Sequence, residues 1–324
     1  MCGLTGKRCT KNVLKQQKSH KKTDLSSEKA GNQTLVVRFF YFSCMIIDTH
    51  SHLNFNAFAK DLNQVLKRTA EENIWTINVG TNYQTSRRAV VLAEKGGQEI
   101  YAAVGLHPLH GSSEFIKLKS DPQETDFLSA ENDFDYKKYK ELALNSNRKV
   151  VAIGEIGLDY YYKPKTNTKL GQFKEKQKKV FRQELALAEE LNLPVILHCR
   201  LAHKDMIELL KSRILSCQPK IRGVVHCFTG QVEEMEEYIN LGFYIGFNAI
   251  IFKLDLDEAV KNCPLGNMVV ETDCPYLTPP QEGQNRNEPV FIKHTIGKIA
   301  ELKGRTFNEI CQKTTENAKK LFKI

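Results

Sequence analysis

His50-Ser51-His52, preceded by Asp48-Thr49, ends the first predicted strand and sets the first chemical constraint. Side chains alternate along a strand, so His50 and His52 point the same way, about two rises apart. That spacing lets two imidazoles share one metal ion, although two exposed histidines often occur by chance. The pair gains meaning because similar chemistry recurs where other predicted strands end: Gly154-Glu155-Ile156-Gly157-Leu158-Asp159, Ile196-Leu197-His198-Cys199-Arg200, Val225-His226-Cys227-Phe228 and Val270-Glu271-Thr272-Asp273. Together these supply four imidazoles and two carboxylates: His50, His52, Glu155, His198, His226 and Asp273. A buried, hydrogen-bonded polar residue is an adequate account of any one of them and a poor account of all six.

Six ligands exceed what one tetrahedral ion needs, which points to two divalent metal ions. Glu155 is the candidate bridge, with His50, His52 and Asp273 on one ion and His198 and His226 on the other. Mixed nitrogen and oxygen ligation suits Zn, Mn or Fe, and Mg with several waters also fits. Two neighbouring ions can generate a metal-bound hydroxide at neutral pH and stabilise charge on attacking and leaving oxygens. Asp273, bound through one oxygen, would be free to take the proton from that water. Asp273 and Glu155 are therefore the expected catalytic residues.

Such residues meet only if strand ends converge. From Met45 onward, short β-branched runs alternate with amphipathic stretches. Strands are predicted over 46–49, 74–79, 100–106, 150–156, 195–198, 223–227, 243–247 and 268–271. Helical patterns lie near 58–72, 84–95, 135–146, 170–192, 202–215, 231–241, 255–262, 289–303 and 307–322. This alternation predicts an α/β fold, a single (β/α)8 TIM barrel over residues 45–324, whose strand ends share one mouth. The connection 108–134 is oversized and acidic, and it should start on the active face because it leaves the end of a strand.

The composition, 324 residues with 41% apolar and 26% charged, is that of a globular protein and excludes fibrous or wholly disordered chains. No run of 18 apolar residues is present, so no membrane span is expected. The apolar run 35–47, interrupted by Arg38, faintly mimics a secretory signal, but no small-residue cleavage site follows and the run continues into the first strand. Nine cysteines without CxxC spacing predict reduced thiols and a cytoplasmic location. Cys199, Cys227 and Cys274 each follow a proposed ligand, and alternation should bury them as small apolar groups on the other face. The net charge of +9 suggests a polyanionic partner. However, residues 1–44 carry nine basic side chains against Asp24 and Glu28, leaving 38 basic against 36 acidic for the rest. Residues 1–44 read as a basic, disordered extension, and the overall charge is no argument for DNA. Met45 could itself be a translation start, and the aromatic strip 39–42 is expected to pack locally.

The segments DTHSHL, GLHPLH, GEIGLDYY, ILHCR, VVHCFTG, YIGFN, ETDCPYL and RNEP occur in the order found in the TatD family of metal-dependent deoxyribonucleases. The chain resembles that family from about Met45 to its C-terminus. The resemblance implies a TIM-barrel hydrolase of the amidohydrolase type, with a divalent-metal centre and phosphodiesterase activity on DNA, and its ligand positions match the six residues above. Around them, Arg200 offers a two-pronged fork for phosphate. His107 could donate to a phosphate or leaving oxygen, or simply cap a loop. Asp159 and Tyr160 could position a ligand or a base, and Tyr160 could equally be packing. Arg286 and Asn287 resemble the family's substrate-side loop and could hold the DNA backbone, or form a solvated turn. The expectation is a monomeric deoxyribonuclease with DNA as substrate. Two alternatives stay open: an amidohydrolase-type enzyme on an amide, lactone or aminoacyl ester, and a non-catalytic DNA-binding protein acting through the basic tail.

Overall fold

Short Val- and Ile-rich runs form β1 (Ile46–Ser51), β2 (Ile74–Val79), β3 (Ile100–Val104), β4 (Val150–Asp159), β5 (Val195–Arg200), β6 (Gly223–Val225), β7 (Tyr244–Phe247) and β8 (Met268–Val270) in a computed structural model of the chain. The structure describes residues 44–116, 121–125, 131–216 and 221–324; the extension and aromatic strip expected over 1–43 lie outside the described residues. Each strand pairs in parallel with the next, in the order β1 to β8. The ring is drawn closed where Thr49 Oγ1 donates to Val270 O (3.2 Å) and Asp273 N donates to His50 O (2.8 Å). This is the expected (β/α)8 barrel.

The helices are α1 (Leu62–Glu71), α2 (Tyr83–Lys95), α3 (Tyr136–Leu144), α4 (Asn167–Leu191), α5 (His203–Ser216), α6 (Val232–Asn240), α7 (Asp257–Asn262), α8 (Ile292–Lys303) and α9 (Phe307–Phe322). Local chemistry sets several of their ends. Asn82 caps α2 by accepting from Thr85 N (2.9 Å), and Thr306 with Glu309 forms a capping box on α9. Gly304 ends α8 in the left-handed conformation. One apolar cluster fills the space between strands and helices. A second, including Ile47, Ile77, Val151, Ile196 and Val224, is joined by Leu321 and Phe322 of α9, so this helix packs against the strand beginnings and leaves their ends for chemistry.

Two boundary differences matter for the site. β4 runs three residues beyond its predicted end because Gly157 pairs with His198 and Asp159 with Arg200. At Gly157 the backbone has φ +141°, and a Cβ would fall 2.1 Å from His198 O, so this close pairing requires glycine. Conversely, β6 and β8 stop at Val225 and Val270, earlier than predicted. The turns that follow pass through left-handed backbone at Cys227 (φ 44°) and Asp273 (φ 57°), which takes the chain off the ladder and frees the side chains next to it.

The cysteines depart from expectation at one pair. Cys44 and Cys311 form a disulfide that ties the residue two before β1 to α9. Their sequence separation of 267 leaves no local spacing to announce it. The argument from uniformly reduced thiols to a cytosolic location is thereby lost. Cys199 and Cys274 are buried as expected, whereas Cys227 is only half-buried. Among the described residues no helix is long and apolar enough to cross a membrane.

Candidate metal centre

β1 delivers His50 from its end and His52 from the residue just beyond it, and their Nε2 atoms meet at 3.1 Å. His52 Nδ1 donates to Val79 O (2.8 Å), which fixes the tautomer and turns the Nε2 lone pair toward Asp273 Oδ1 at 3.3 Å. His50 Nε2 lies 3.6 Å from the same oxygen. Glu155, from β4, stands at the centre. Its Oε2 is 3.5 Å from His50 Nε2 and 3.9 Å from His52 Nε2. Its Oε1 is 2.7 Å from His198 Nδ1 and 2.8 Å from His226 Nε2. One carboxylate oxygen thus faces each histidine pair.

Whether these groups suit metal ions can be judged from their hydrogen bonding. The Nδ1 atoms of His50 and His226 are buried without a hydrogen-bond partner, and the His50 and His226 rings stack at 4.0 Å. Imidazole lone pairs converging at such distances, in a protein interior, call for cations between them. Three groups among the described residues lie close enough to hold an ion: His50, His52 and Asp273; His50, Glu155 and His226; and His107, Glu155 and His198. The six strand-end residues are therefore brought together, and they fit a two-ion centre.

Burial alone would raise the Glu155 carboxyl, but His226, His107 and His198 hold it well below the ordinary carboxylate range. Burial likewise opposes ionisation of Asp273, and His52, His50 and His226 outweigh it. Both acids stay charged, as metal ligation would require.

His107 also reaches the cluster, with Nε2 3.5 Å from Glu155 Oε1 and its ring 4.3 Å from that of His198. Leu109 N donates to its Nδ1 (3.2 Å), so the proton of the neutral imidazole sits on Nε2, facing the centre. Burial and the neighbouring His198 lower its pKa to about 3, so it is a neutral N–H donor rather than an acid. Asp159 Oδ2 sits 3.1 Å from His198 Nε2 and orients that ring with Nδ1 toward Glu155. Asp159 is itself clamped: its N donates to Gln177 Oε1 (2.9 Å), and Gln177 Nε2 donates to Asp159 O (3.0 Å). Arg200 is exposed at the rim, its guanidinium 3.6 Å from the centre of the Tyr161 ring.

Three sequence candidates do not face the cluster with free groups. Tyr160 points to the helix layer, where its hydroxyl donates to Asp205 (2.8 Å) and Lys174 lies over its ring. Arg286 forks onto Asp61 at 2.9 and 2.7 Å, bonds Glu288 at 2.9 Å and stacks on Phe58, so its charge is used inside the protein. Asn287 is buried, and its Nδ2 donates to Thr272 O (2.9 Å), Tyr276 O and Leu277 O. It braces the loop carrying Asp273 instead of contacting solvent.

Other residues gained a role that the sequence reading did not give them. Glu271 is fully buried, accepts from Cys227 N (2.6 Å) and Asn248 Nδ2 (3.1 Å), and lies 3.6 Å from His226 Nδ1. Asp48 accepts from Thr272 N (2.9 Å) and Thr272 Oγ1 (2.6 Å), joining β1 to the turn that presents Asp273; burial pushes its pKa up to about 8. The available signal was parity, since Asp48 and Glu271 each stand two residues before a ligand. The oversized connection does lie on this face: Asp121 accepts from Tyr276 OH (2.6 Å), and Glu124 accepts from His110 Nε2 (2.9 Å). Ala57 N also donates to Gln123 O (2.9 Å), bringing the described part of this loop against the loop after β1.

A family model described as TatD related DNase matches residues 47–323. The chain is 38% identical over 284 residues to the uncharacterised metal-dependent hydrolase YabD of Bacillus subtilis, covering 86% of this chain and 100% of that protein. It is 35% identical over 286 residues to the 3'-5' ssDNA/RNA exonuclease TatD of Erwinia amylovora, covering 86% and 99%. The crystal structure of YjjV, a TatD homologue from Escherichia coli K12, matches with a TM-score of 0.71 at 30% identity, covering 87% of this chain and 99% of the other. With a family model matching residues 47–323 and a barrel shared with a solved TatD homologue, the chain belongs to the TatD-related DNase family.

Proposed function

We propose that this chain is a two-metal phosphodiesterase that cleaves DNA. The observation that carries the reading is Glu155, whose two oxygens face different histidine pairs at 2.7–3.9 Å, the arrangement of a bridging ligand. Divalent ions held there would neutralise phosphate charge and activate water. The protein's own groups supply the rest. Asp273 keeps its side chain 15% exposed while the other ligating carboxylate is nearly closed off, so it is the base with access to an attacking water. His107 presents a neutral N–H to a phosphate or leaving oxygen. Arg200, whose guanidinium has no carboxylate partner among the described residues, supplies a two-pronged contact to the substrate backbone. The nuclease names of relatives such as the Erwinia amylovora exonuclease support the substrate class.

The test is cleavage of end-labelled single-stranded oligonucleotides by EDTA-stripped protein, then with Mg, Mn or Zn restored. Activity should return only with metal. Glu155→Gln and Asp273→Ala should each lose more than about 100-fold, because even outer partners of metal ligands are worth 10- to 100-fold. Cleavage that persists in EDTA, or in either variant, defeats the mechanism.

A further inference from the structure

Seven large apolar side chains are exposed among the described residues, and three of them, Tyr161, Tyr162 and Leu201, stand just past the paired ends of β4 and β5. The two strands reach this rim in register, Asp159 opposite Arg200, and Tyr160 N donates to Arg200 O (2.9 Å). Tyr161 N donates to Asp159 Oδ1 (2.8 Å), and the other oxygen of the same carboxylate orients His198. The patch is thus one hydrogen bond from a residue that positions the metal centre. Tyr161 and Tyr162 meet edge-on, with ring centres 4.9 Å apart, and stay 50% and 52% exposed. Arg200 lies against Tyr161, and Leu201 is 67% exposed.

The charge beside this patch is lopsided although the barrel as a whole is nearly neutral. Residues 163–179 hold seven lysines and one glutamate. Lys176 and Lys178 are paired with acidic side chains, but Lys163, Lys165 and Lys169 are exposed and have no carboxylate partner among the described residues. Half-exposed aromatic rings next to a basic track are what an unpaired nucleic-acid strand requires, since stacking needs bare base faces and backbone contact needs cations. In a duplex those base faces are already stacked on their neighbours.

We propose that Tyr161, Tyr162 and Leu201 form a stacking shelf for the unpaired bases next to the scissile phosphodiester, and that Arg200, Lys163, Lys165 and Lys169 carry the adjoining phosphates. The shelf rests on the nuclease reading above.

The test measures binding by fluorescence anisotropy, using metal-loaded protein and a labelled phosphorothioate oligothymidine of about 12 nucleotides. The double variant Tyr161→Ala/Tyr162→Ala should bind about ten- to a hundredfold more weakly. Tyr161→Phe/Tyr162→Phe should stay near wild type, because stacking survives without the hydroxyls. With an abasic oligonucleotide of the same charge, wild type and the alanine variant should bind alike. Lys163→Glu/Lys165→Glu should weaken both oligonucleotides and flatten the salt dependence. Equal oligothymidine binding by wild type and the alanine variant, or an equal loss with the abasic strand, overturns the shelf. So does a change in molecular mass of the alanine variant on gel filtration, which would make the patch a contact between copies. Wild type that binds through the shelf yet never cuts overturns the nuclease reading alone. Cutting that is indifferent to the alanine variant, with unchanged binding, overturns the shelf alone.

Discussion

If Glu155 bridges two ions, replacing it should harm both, whereas replacing Asp273 should harm one. Glu155→Gln keeps the volume and removes the charge that faces His198 and His226 through one oxygen and His50 through the other. Asp273→Asn alters only the group built with His50 and His52. The useful quantity is the metal-dependent increment in melting temperature, because each variant then serves as its own metal-free reference. An ion present at a hundred times its Kd stabilises the native state by about 2.7 kcal/mol. For a barrel of this size, about 2 °C per kcal/mol gives about 5 °C per ion and about 10 °C for two. Wild type should therefore gain about 10 °C between EDTA and saturating Mn, Asp273→Asn about half of that, and Glu155→Gln close to nothing. Metal analysis after gel filtration should give matching stoichiometries of about two, one and none per chain. A Glu155→Gln protein that still holds two ions with a full thermal increment would refute the bridge. So would an Asp273→Asn protein that loses both ions while Glu155→Gln keeps one.

Two further substitutions separate positioning from binding. Asp159→Asn removes the carboxylate 3.1 Å from His198 Nε2 and should lower activity about 10- to 100-fold, with a matching loss of affinity for the ion that His198 faces; steady-state kinetics across a metal titration checks it, and wild-type behaviour would deny Asp159 its role. Arg286→Ala breaks the fork onto Asp61 and the bond to Glu288, so it should cost about 2 kcal/mol of stability, roughly 4 °C by thermal unfolding, and leave the KM for oligonucleotide near wild type. The hydrogen bond from Arg286 holds the Asp61 carboxyl below its ordinary range. That part of the stabilisation is therefore present above the ordinary carboxylate pKa and is lost as the pH falls through the lowered value, so the gap between wild type and variant should narrow in acid. A large rise in KM without loss of stability would return Arg286 to the substrate.

What could be read from the sequence divides by the range of the interaction. The convergence of the candidate ligands was legible because a parallel barrel turns eight separate strand ends into one site, so a His or Glu at a strand end needs no knowledge of its partners to be placed. Side-chain parity then put His50 with His52, and placed Cys199 and Cys274 away from the centre. Roles that depend on one specific distant partner were not legible. Arg286 looked like a substrate contact because a loop arginine carries no mark of the Asp61 that binds it 225 positions earlier. Asn287 looked polar and solvent-facing because the three carbonyls it satisfies belong to a turn whose path is fixed only after β8 ends. Glu271 and Asp48 were passed over for a related reason. Each shares parity with a candidate ligand, but one carboxylate oxygen of each accepts from a backbone N–H of a neighbouring segment, Cys227 for Glu271 and Thr272 for Asp48, and such bonds exist only in the closed barrel. The same logic explains why no role for Tyr161 and Tyr162 is legible in a sequence with 9% aromatics. Their meaning comes from β4 running on to pair with Arg200, and that extension depends on Gly157, where any side chain would strike the His198 carbonyl. A single glycine thus aligns the candidate ligand His198, its orienting Asp159 and the rim beside them, and substituting it should disturb the proposed metal and strand binding together.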